Sequence, residues 1–180
     1  MDADIFFFPR YATDLPILYF AAAGKVLDLA SRFESSCRTV STMMSLRLSG
    51  PSILESDESL QMFTNEIWRR RLNSHVSTIS SRLREEADLF RVLNAARSAR
   101  NTVAHELTLG FEYWTRNVDS AKSFRTTLRE CARTLGEGER VVAVLGTLLT
   151  HEELPTGRTL DELTEEYVSW VMDGIPDREP

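Results

Sequence analysis

The residues best suited to chemistry lie between Leu93 and Leu107, where the chain places Arg100, Asn101 and His105 close together. The imidazole of histidine has an ordinary pKa of about 6.5, so it can take up or release a proton at neutral pH. The guanidinium group of arginine binds anions through two parallel hydrogen bonds. Together these side chains are suited to acid–base chemistry on a ligand that carries negative charge.

Helical spacing places Arg100 on the apolar side of its segment. At about 100° per residue, Arg100 falls within the apolar stripe of Leu93–Leu107, and His105 lies about 140° away around the axis. An unpaired charge on a packing face is costly, so Arg100 needs an anion. A carboxylate from a neighbouring helix, such as Glu66 or Asp88, or the phosphate of an RNA would meet this need.

This segment resembles the HEPN superfamily (higher eukaryotes and prokaryotes nucleotide-binding). Its ribonuclease members carry Arg and His separated by a short spacer, very often as Arg-Asn-x-x-Ala-His, and Arg100, Asn101, Ala104 and His105 match that form. The resemblance covers this motif and its place on a late helix of a helical bundle. Leu107 stands where many HEPN toxins have a Tyr, so control by nucleotidylation of such a Tyr is not expected.

The resemblance implies a metal-independent endoribonuclease of a toxin or phage-defence system, with a composite site between the two copies of a homodimer. His105 would act as general acid or base on the ribose 2′-OH and the leaving oxygen. Arg100 would stabilise the phosphorane-like transition state, and Asn101 would orient the imidazole or bind phosphate. The products would be a 2′,3′-cyclic phosphate and a 5′-OH. No cofactor is expected, and an antitoxin or another regulatory protein is the expected partner.

Further basic residues are predicted to hold the RNA backbone through salt-sensitive phosphate contacts. These RNA-binding candidates are Arg69, Arg70, Arg71 and Arg97. The alternative for the three consecutive arginines is a solvated face. Arg97 shares a helical face with Asn101 and His105, so it is an alternative partner for His105.

Two other functions remain open for the whole chain. In a catalytically inactive HEPN-like module for dimerisation or nucleotide binding, Arg100 and His105 would be purely structural. A DNA-binding regulator is disfavoured by the net charge of −6 and by the lack of a recognisable helix-turn-helix spacing.

The hydrophobic pattern predicts helices and no strand. The predicted helices span Leu15–Leu48, Leu60–Leu83, Leu89–Leu107, Val118–Thr150 and a short segment after Thr159. Gly50 and Gly110 are expected to end the first and third helices, and Gly136-Glu-Gly138 to interrupt the fourth. Thr159 and Glu162 form a predicted capping box, followed by an apolar face that ends in Trp170 or Val171.

The pattern therefore predicts an all-α fold, a four-helix up-and-down bundle with an additional short C-terminal helix. Residues 1–150 are assigned to the HEPN-like bundle, and residues 151–180 to an acidic C-terminal helix and tail docked on the same domain. This acidic segment is either a plain docked amphipathic helix or a cover that competes with RNA for the cleft.

Composition narrows the class further. The chain has 180 residues, 42% of them hydrophobic and 27% charged, which is typical of a globular protein with a core. Cys37 and Cys131 lie far apart without metal-type spacing, so a reducing cytoplasm is expected. Three separated histidines predict no metal site, and neither a signal peptide nor a membrane span is expected. The tryptophans are expected to be core or interface anchors: Trp68, Trp114 and Trp170.

Overall fold

A computed structural model describes residues 15–49, 56–83, 86–107, 118–153 and 160–175, which form six α-helices and no strand. The helices are α1 (Leu15–Ser49), α2 (Asp57–Trp68), α3 (Leu72–Ser80), α4 (Ala87–Thr102), α5 (Val118–Thr150) and α6 (Leu160–Met172). A π-helical turn, Val103–Leu107, continues α4. The predicted all-α fold is confirmed within these ranges, whereas Gly50, Gly110, Trp114 and Thr159 lie outside the described residues.

The long helix α1 buries the face that its apolar spacing predicts. Its deepest side chains recur at steps of three and four residues: Ala22, Val26, Leu29, Phe33, Cys37 and Val40. The helix ends at Ser49, within one residue of the predicted end. A single face of this helix therefore supplies a large part of the core.

The second predicted helix is two helices, so the prediction of one continuous helix from Leu60 to Leu83 is wrong. Helix α2 ends at Trp68, and α3 begins at Leu72 after a turn at Arg69–Arg71. In that turn the backbone of Arg71 is extended, with φ −72° and ψ 154°, so the helical path is interrupted there. No Gly or Pro marks the turn, and the hydrophobic pattern continues across it.

The extra reversal changes the direction of the later helices. Tyr19 contacts Phe124 and Ser36 donates a hydrogen bond to Glu139, so contacts advance together along α1 and α5 and the two helices are parallel. In a plain four-helix up-and-down order the helix from Val118 would be antiparallel to the first. Helix α4 runs against both, since Ala96 lies against Gly138 of α5, whereas the later Glu106 is close enough to the earlier Cys131 of α5 to add to the rise that burial causes in its pKa.

Close packing, rather than a kink, explains the glycines of α5. The helix is continuous through Gly136 and Gly138, so the predicted interruption is wrong. A Cβ added at Gly138 would lie 2.3 Å from Cβ of Ala96 and 3.0 Å from the ring of Phe33. One added at Gly136 would lie 3.1 Å from the ring of Tyr167. The glycines therefore let α4, α1 and α6 approach the backbone of α5 closely.

Ion pairs hold the acidic helix α6 antiparallel to α5. Asp161 pairs with Arg140 at 2.8 Å, and Glu165 pairs with Arg133 at 3.0 Å. These acidic side chains contact α5 rather than the residues of α4 that carry the HEPN-like motif. Within the described residues, the geometry matches a docked helix better than a cover over the motif.

The apolar face of α6 ends in Val171 and not in Trp170. Val171 is fully buried, and Val168 is nearly so, in the same core as α1 and α5. Trp170 is 39% exposed, and Trp68 on α2 is 48% exposed. Of the two predicted roles, core anchor is therefore wrong for these tryptophans, because buried neighbours in each helix take that place, and interface anchor stays a prediction.

Candidate active site

Arg100 is partly buried and bound to a carboxylate of α1. Its Nε and Nη2 atoms both donate to Oε2 of Glu34, at 2.9 and 2.6 Å. About a quarter of each side chain is exposed, 28% for Arg100 and 23% for Glu34. The prediction that an arginine on this packing face requires an anion is therefore met by a carboxylate within the chain.

The two carboxylates suggested by the sequence do not provide this partner. Glu66 pairs with Arg70 at 2.9 Å, one helical turn away, and Asp88 pairs with Arg91 on its own helix. The actual partner is 66 residues distant along the chain, on a helix antiparallel to α4. Glu34 follows the buried Phe33 on α1, and this position at the edge of the core was the signal that could have identified it as the partner of Arg100.

Glu34 is shared between two arginines. Its Oε1 atom accepts from Nη2 of Arg38 at 3.2 Å, one turn further along α1, while Oε2 accepts from Arg100. The cluster of Glu34, Arg38 and Arg100 thus carries one negative and two positive charges. Nε of Arg38 is buried and has no acceptor among the described residues. The cluster retains net positive charge, so it is electrostatically suited to an additional anion.

His105 is exposed and lies in the π-helical turn that follows α4. Its imidazole makes no hydrogen bond or ion pair with the described residues. A π-helical turn has more residues per turn than an α-helix, so each residue advances less around the axis. We therefore expect the angle between Arg100 and His105 around the axis to be smaller than the 140° of an ideal α-helix. Such turns occur frequently at functional sites.

Asn101 and Arg97 have other partners than His105. Oδ1 of Asn101 accepts a long hydrogen bond of 3.4 Å from Nη1 of Arg100. Arg97 donates to the side-chain oxygen of Asn73 on α3. Neither the predicted orientation of His105 by Asn101 nor the alternative pairing of His105 with Arg97 is present among these contacts. Arg97 instead brings α4 next to the first turn of α3.

That contact places Arg97 beside the basic turn formed by Arg69–Arg71, all three of which are exposed. The turn is held by His75, a fully buried residue of α3 that sequence reasoning did not select. Its Nε2 donates to the backbone carbonyl of Arg70 at 3.2 Å, and its Nδ1 accepts from the hydroxyl of Ser41 at 2.6 Å. Burial lowers the pKa of His75, which favours this neutral tautomer.

The cysteines are free, buried and unsuited to nucleophilic chemistry. Burial, with a smaller contribution from nearby carboxylates, raises the pKa of Cys37 and raises the pKa of Cys131 to about 11. The thiolate is the reactive form of cysteine, and a raised pKa makes it scarce at neutral pH. Within the described ranges, no group of three or more His, Cys, Asp and Glu side chains is arranged to hold a metal ion. None of the described helices is apolar and long enough to cross a bilayer.

A cavity of about 370 Å³ lies apart from these residues, between α1 and α6. Arg32, Tyr167 and Trp170 contribute to its walls. Arg32 is paired with Asp28 at 2.8 Å, and the cavity walls contain no histidine or cysteine. The acid–base residue and the basic cluster are both on the α4 side of α1, so that side is the candidate site.

No family model, no curated protein and no solved structure matches the chain. The HEPN resemblance therefore depends on the motif and its structural setting alone.

Proposed function

We propose that this chain is a metal-independent endoribonuclease that cleaves RNA by attack of the ribose 2′-OH on the adjacent phosphate. The observation that carries the proposal is the exposed imidazole of His105 in a π-helical turn directly after Arg100. This turn exposes an acid–base group five residues after Arg100, which belongs to a cluster with net positive charge. These are the two elements that phosphodiester cleavage requires.

The reaction needs two proton transfers. A neutral imidazole takes the proton of the 2′-OH while the 2′-oxygen forms a bond to phosphorus. The bond from phosphorus to the 5′-oxygen breaks, and the leaving oxygen takes a proton from a protonated imidazole. Arg100 stabilises the negative charge on the pentacoordinate phosphorus through its guanidinium hydrogens that do not face Glu34.

Each chain supplies one such imidazole, so the mechanism uses two copies. We propose a homodimer with two-fold symmetry, the commonest symmetry of oligomers, in which His105 and Arg100 of both copies line one cleft. Asn101, through its contact with Arg100, helps to fix the guanidinium. Arg97 and the Arg69–Arg71 turn bind the RNA backbone next to the cleft.

An endoribonuclease of this kind would act as a toxin or phage-defence effector in the cytoplasm, silenced by an antitoxin or another regulatory protein. Induced expression of the wild-type chain in a bacterium should then arrest growth, and expression of His105→Ala at the same level should not. Equal growth of both strains would count against a toxin role and would leave the chemistry to the purified protein.

Cleavage by purified variants tests the enzyme itself. Wild type should cut RNA in the presence of EDTA and leave 2′,3′-cyclic phosphate ends. Arg100→Ala and His105→Ala should each lose at least about a hundredfold in rate, since one donor to the transition state contributes about 10² to 10³ and general acid–base catalysis about 10² to 10⁴. Arg91→Ala and His151→Ala are the matched controls, because both residues are exposed and lie outside the site.

Circular dichroism confirms that each variant is folded before rates are compared. Cleavage that persists in His105→Ala would refute the proposal, as would equal cleavage by all five proteins. The absence of cleavage of any tested RNA by the wild type would favour the second candidate.

The second candidate is a catalytically inactive dimerisation or nucleotide-binding module. The observation in its favour is that Glu34 already accepts hydrogen bonds from both Arg38 and Arg100. Arg100 thereby joins α4 to α1, and this contact stabilises the fold without any ligand. In that case Arg100→Ala lowers the free energy of unfolding, and His105→Ala changes neither stability nor any RNA-dependent signal.

A further inference from the structure

The side chain of Trp68 is unusually accessible for a tryptophan. It ends α2 and is 48% exposed, although tryptophan is on average one of the more buried residue types. The preceding residue, Ile67, is the buried residue of this helix and packs α2 onto the rest of the molecule. Trp68 is therefore not the residue that anchors α2, and another role can account for its exposed indole.

One contact fixes the indole ring from the side of α1. The guanidinium carbon of Arg38 lies 5.6 Å from the centre of the Trp68 ring, in the range of a cation–π interaction. Arg38 is itself held by Glu34. The ring is thus orientated by a positively charged side chain while nearly half of its surface remains in solvent.

Exposed cations follow Trp68 directly in the chain. They are Arg69, Arg70 and Arg71, in the turn that His75 holds by its hydrogen bond to the carbonyl of Arg70. Arg97 reaches the same end of α3 through Asn73. An aromatic face beside a row of arginines is the arrangement with which proteins bind unpaired nucleic-acid strands, by stacking on the bases and pairing with the phosphates.

A short series of contacts connects this indole to the candidate active site. The centre of the Trp68 ring is 5.6 Å from the guanidinium carbon of Arg38. Nη2 of Arg38 is 3.2 Å from Oε1 of Glu34, and Oε2 of Glu34 is 2.6 Å from Nη2 of Arg100. A base stacked on Trp68 would therefore belong to a nucleotide close to the phosphate that Arg100 binds. The same bound strand would contact both.

We infer that Trp68 is a stacking platform for an unpaired base of the RNA, next to the cleavage position. This inference rests on the proposed function and extends it to a substrate class, single-stranded RNA. A base in a duplex is already stacked on its neighbours, so a duplex does not offer the face that Trp68 would bind.

The test separates binding from cleavage by use of a strand that cannot be cut. The probe is a fluorescently labelled 2′-O-methyl oligouridylate, in which the attacking hydroxyl is blocked, and binding is followed by anisotropy. The proteins are wild type, Trp68→Ala, Trp68→Phe, Trp170→Ala and Arg69→Ala. Trp170 is the matched control, because it is 39% exposed and also lies near an arginine, Arg32, at 5.8 Å, but belongs to the α6 side.

We expect Trp68→Ala to raise Kd for the single strand about tenfold, the size of the loss of one base stack. Trp68→Phe keeps an aromatic face and should stay within about threefold of wild type. The wild type should bind the single strand more tightly than a duplex of the same length, and this comparison tests the platform even if the alanine variant is unfolded. Trp170→Ala should bind as wild type does. The salt dependence of Kd should not change in Trp68→Ala, because no phosphate contact is lost, but should weaken in Arg69→Ala.

Other outcomes separate the inference from the proposed function. If Trp68→Ala binds the single strand as tightly as wild type while wild type cuts RNA, the platform is refuted and the endoribonuclease stands. If Trp68 is required for binding but no RNA is cut, the platform stands in a binding module. Equal affinity for single strand and duplex refutes the platform, and no binding of either strand refutes both.

Discussion

Replacement of Gly138 by alanine tests the packing that positions α4 and its motif. The new Cβ would lie 2.3 Å from Cβ of Ala96, well inside van der Waals contact, and 3.0 Å from the ring of Phe33. The Cβ of Ala96 cannot rotate away, because it is fixed by the backbone of α4. The helices α4 and α5 must therefore move apart, which also loosens the packing of Phe33.

The magnitude follows from two opposing effects. Overpacking of a close-packed core costs about 1–3 kcal/mol, and the unavoidable contact with Ala96 places this site near the upper end. Alanine in a helix interior is more favourable than glycine by about 1 kcal/mol, which offsets part of that cost. We expect Gly138→Ala to lower the free energy of unfolding by about 2 kcal/mol, or Tm by about 4–8 °C for a chain of this length.

Gly24 provides the matched control, since it also lies inside a long helix but has no atom near the position of an added Cβ. Gly24→Ala should therefore raise stability by about 0.5–1 kcal/mol. Denaturant unfolding followed by circular dichroism measures both variants. Combining Gly138→Ala with Ala96→Gly should recover part of the loss, because one of the two close contacts is removed. A Gly138→Ala protein as stable as Gly24→Ala would refute the close approach of α4 and α5.

Three further predictions concern charge, assembly and thiols. Burial raises the pKa of Glu139, so its contribution to stability is fully present below pH 4.5 and is lost as pH rises through the folded pKa. Unfolding in denaturant should therefore show Glu139→Gln to be more stable than wild type at neutral pH. The difference should vanish in acid. An excess of His105→Ala protein, equilibrated with wild type so that subunits exchange, should lower wild-type cleavage, because a mixed dimer carries one imidazole where the reaction needs two; undiminished cleavage would exclude a composite site. Iodoacetamide should modify Cys37 and Cys131 only after denaturation, as read by mass spectrometry; modification of the folded protein would contradict their burial.

Local patterns in the sequence were sufficient to predict the all-α class, the bounds of α1 and α5, and the buried face of α1. The periodic apolar residues of α1 predicted its buried face, including Val26, Leu29 and Phe33. The same argument on α4 predicted that Arg100 faces the packed side and needs an anion, which the structure supplies as Glu34. These inferences succeeded because they depend on residues one or two turns apart.

Features that depend on distant neighbours were not predictable in the same way. The turn at Arg69–Arg71 has no Gly or Pro, and the contact that stabilises it is the hydrogen bond from the buried His75 to the carbonyl of Arg70. Gly138 was interpreted as a helix breaker, since its sequence does not show that Ala96 will lie against it. The identity of Glu34 as the partner of Arg100 required the antiparallel placement of α1 and α4, which no local pattern specifies.

The parallel arrangement of α1 and α5 has a consequence for synthesis and folding. Contacts between these helices, such as that of Ser36 with Glu139, join residues 103 positions apart. During synthesis, the part of the α1 face around Phe33 therefore stays uncovered by α5 until the chain has been made as far as Gly138. Helices with local contacts form early, whereas this seam has to form late. Chains that stop before α5 leave that face uncovered and should aggregate, so the folded core and everything that depends on it arise only once α5 has been made.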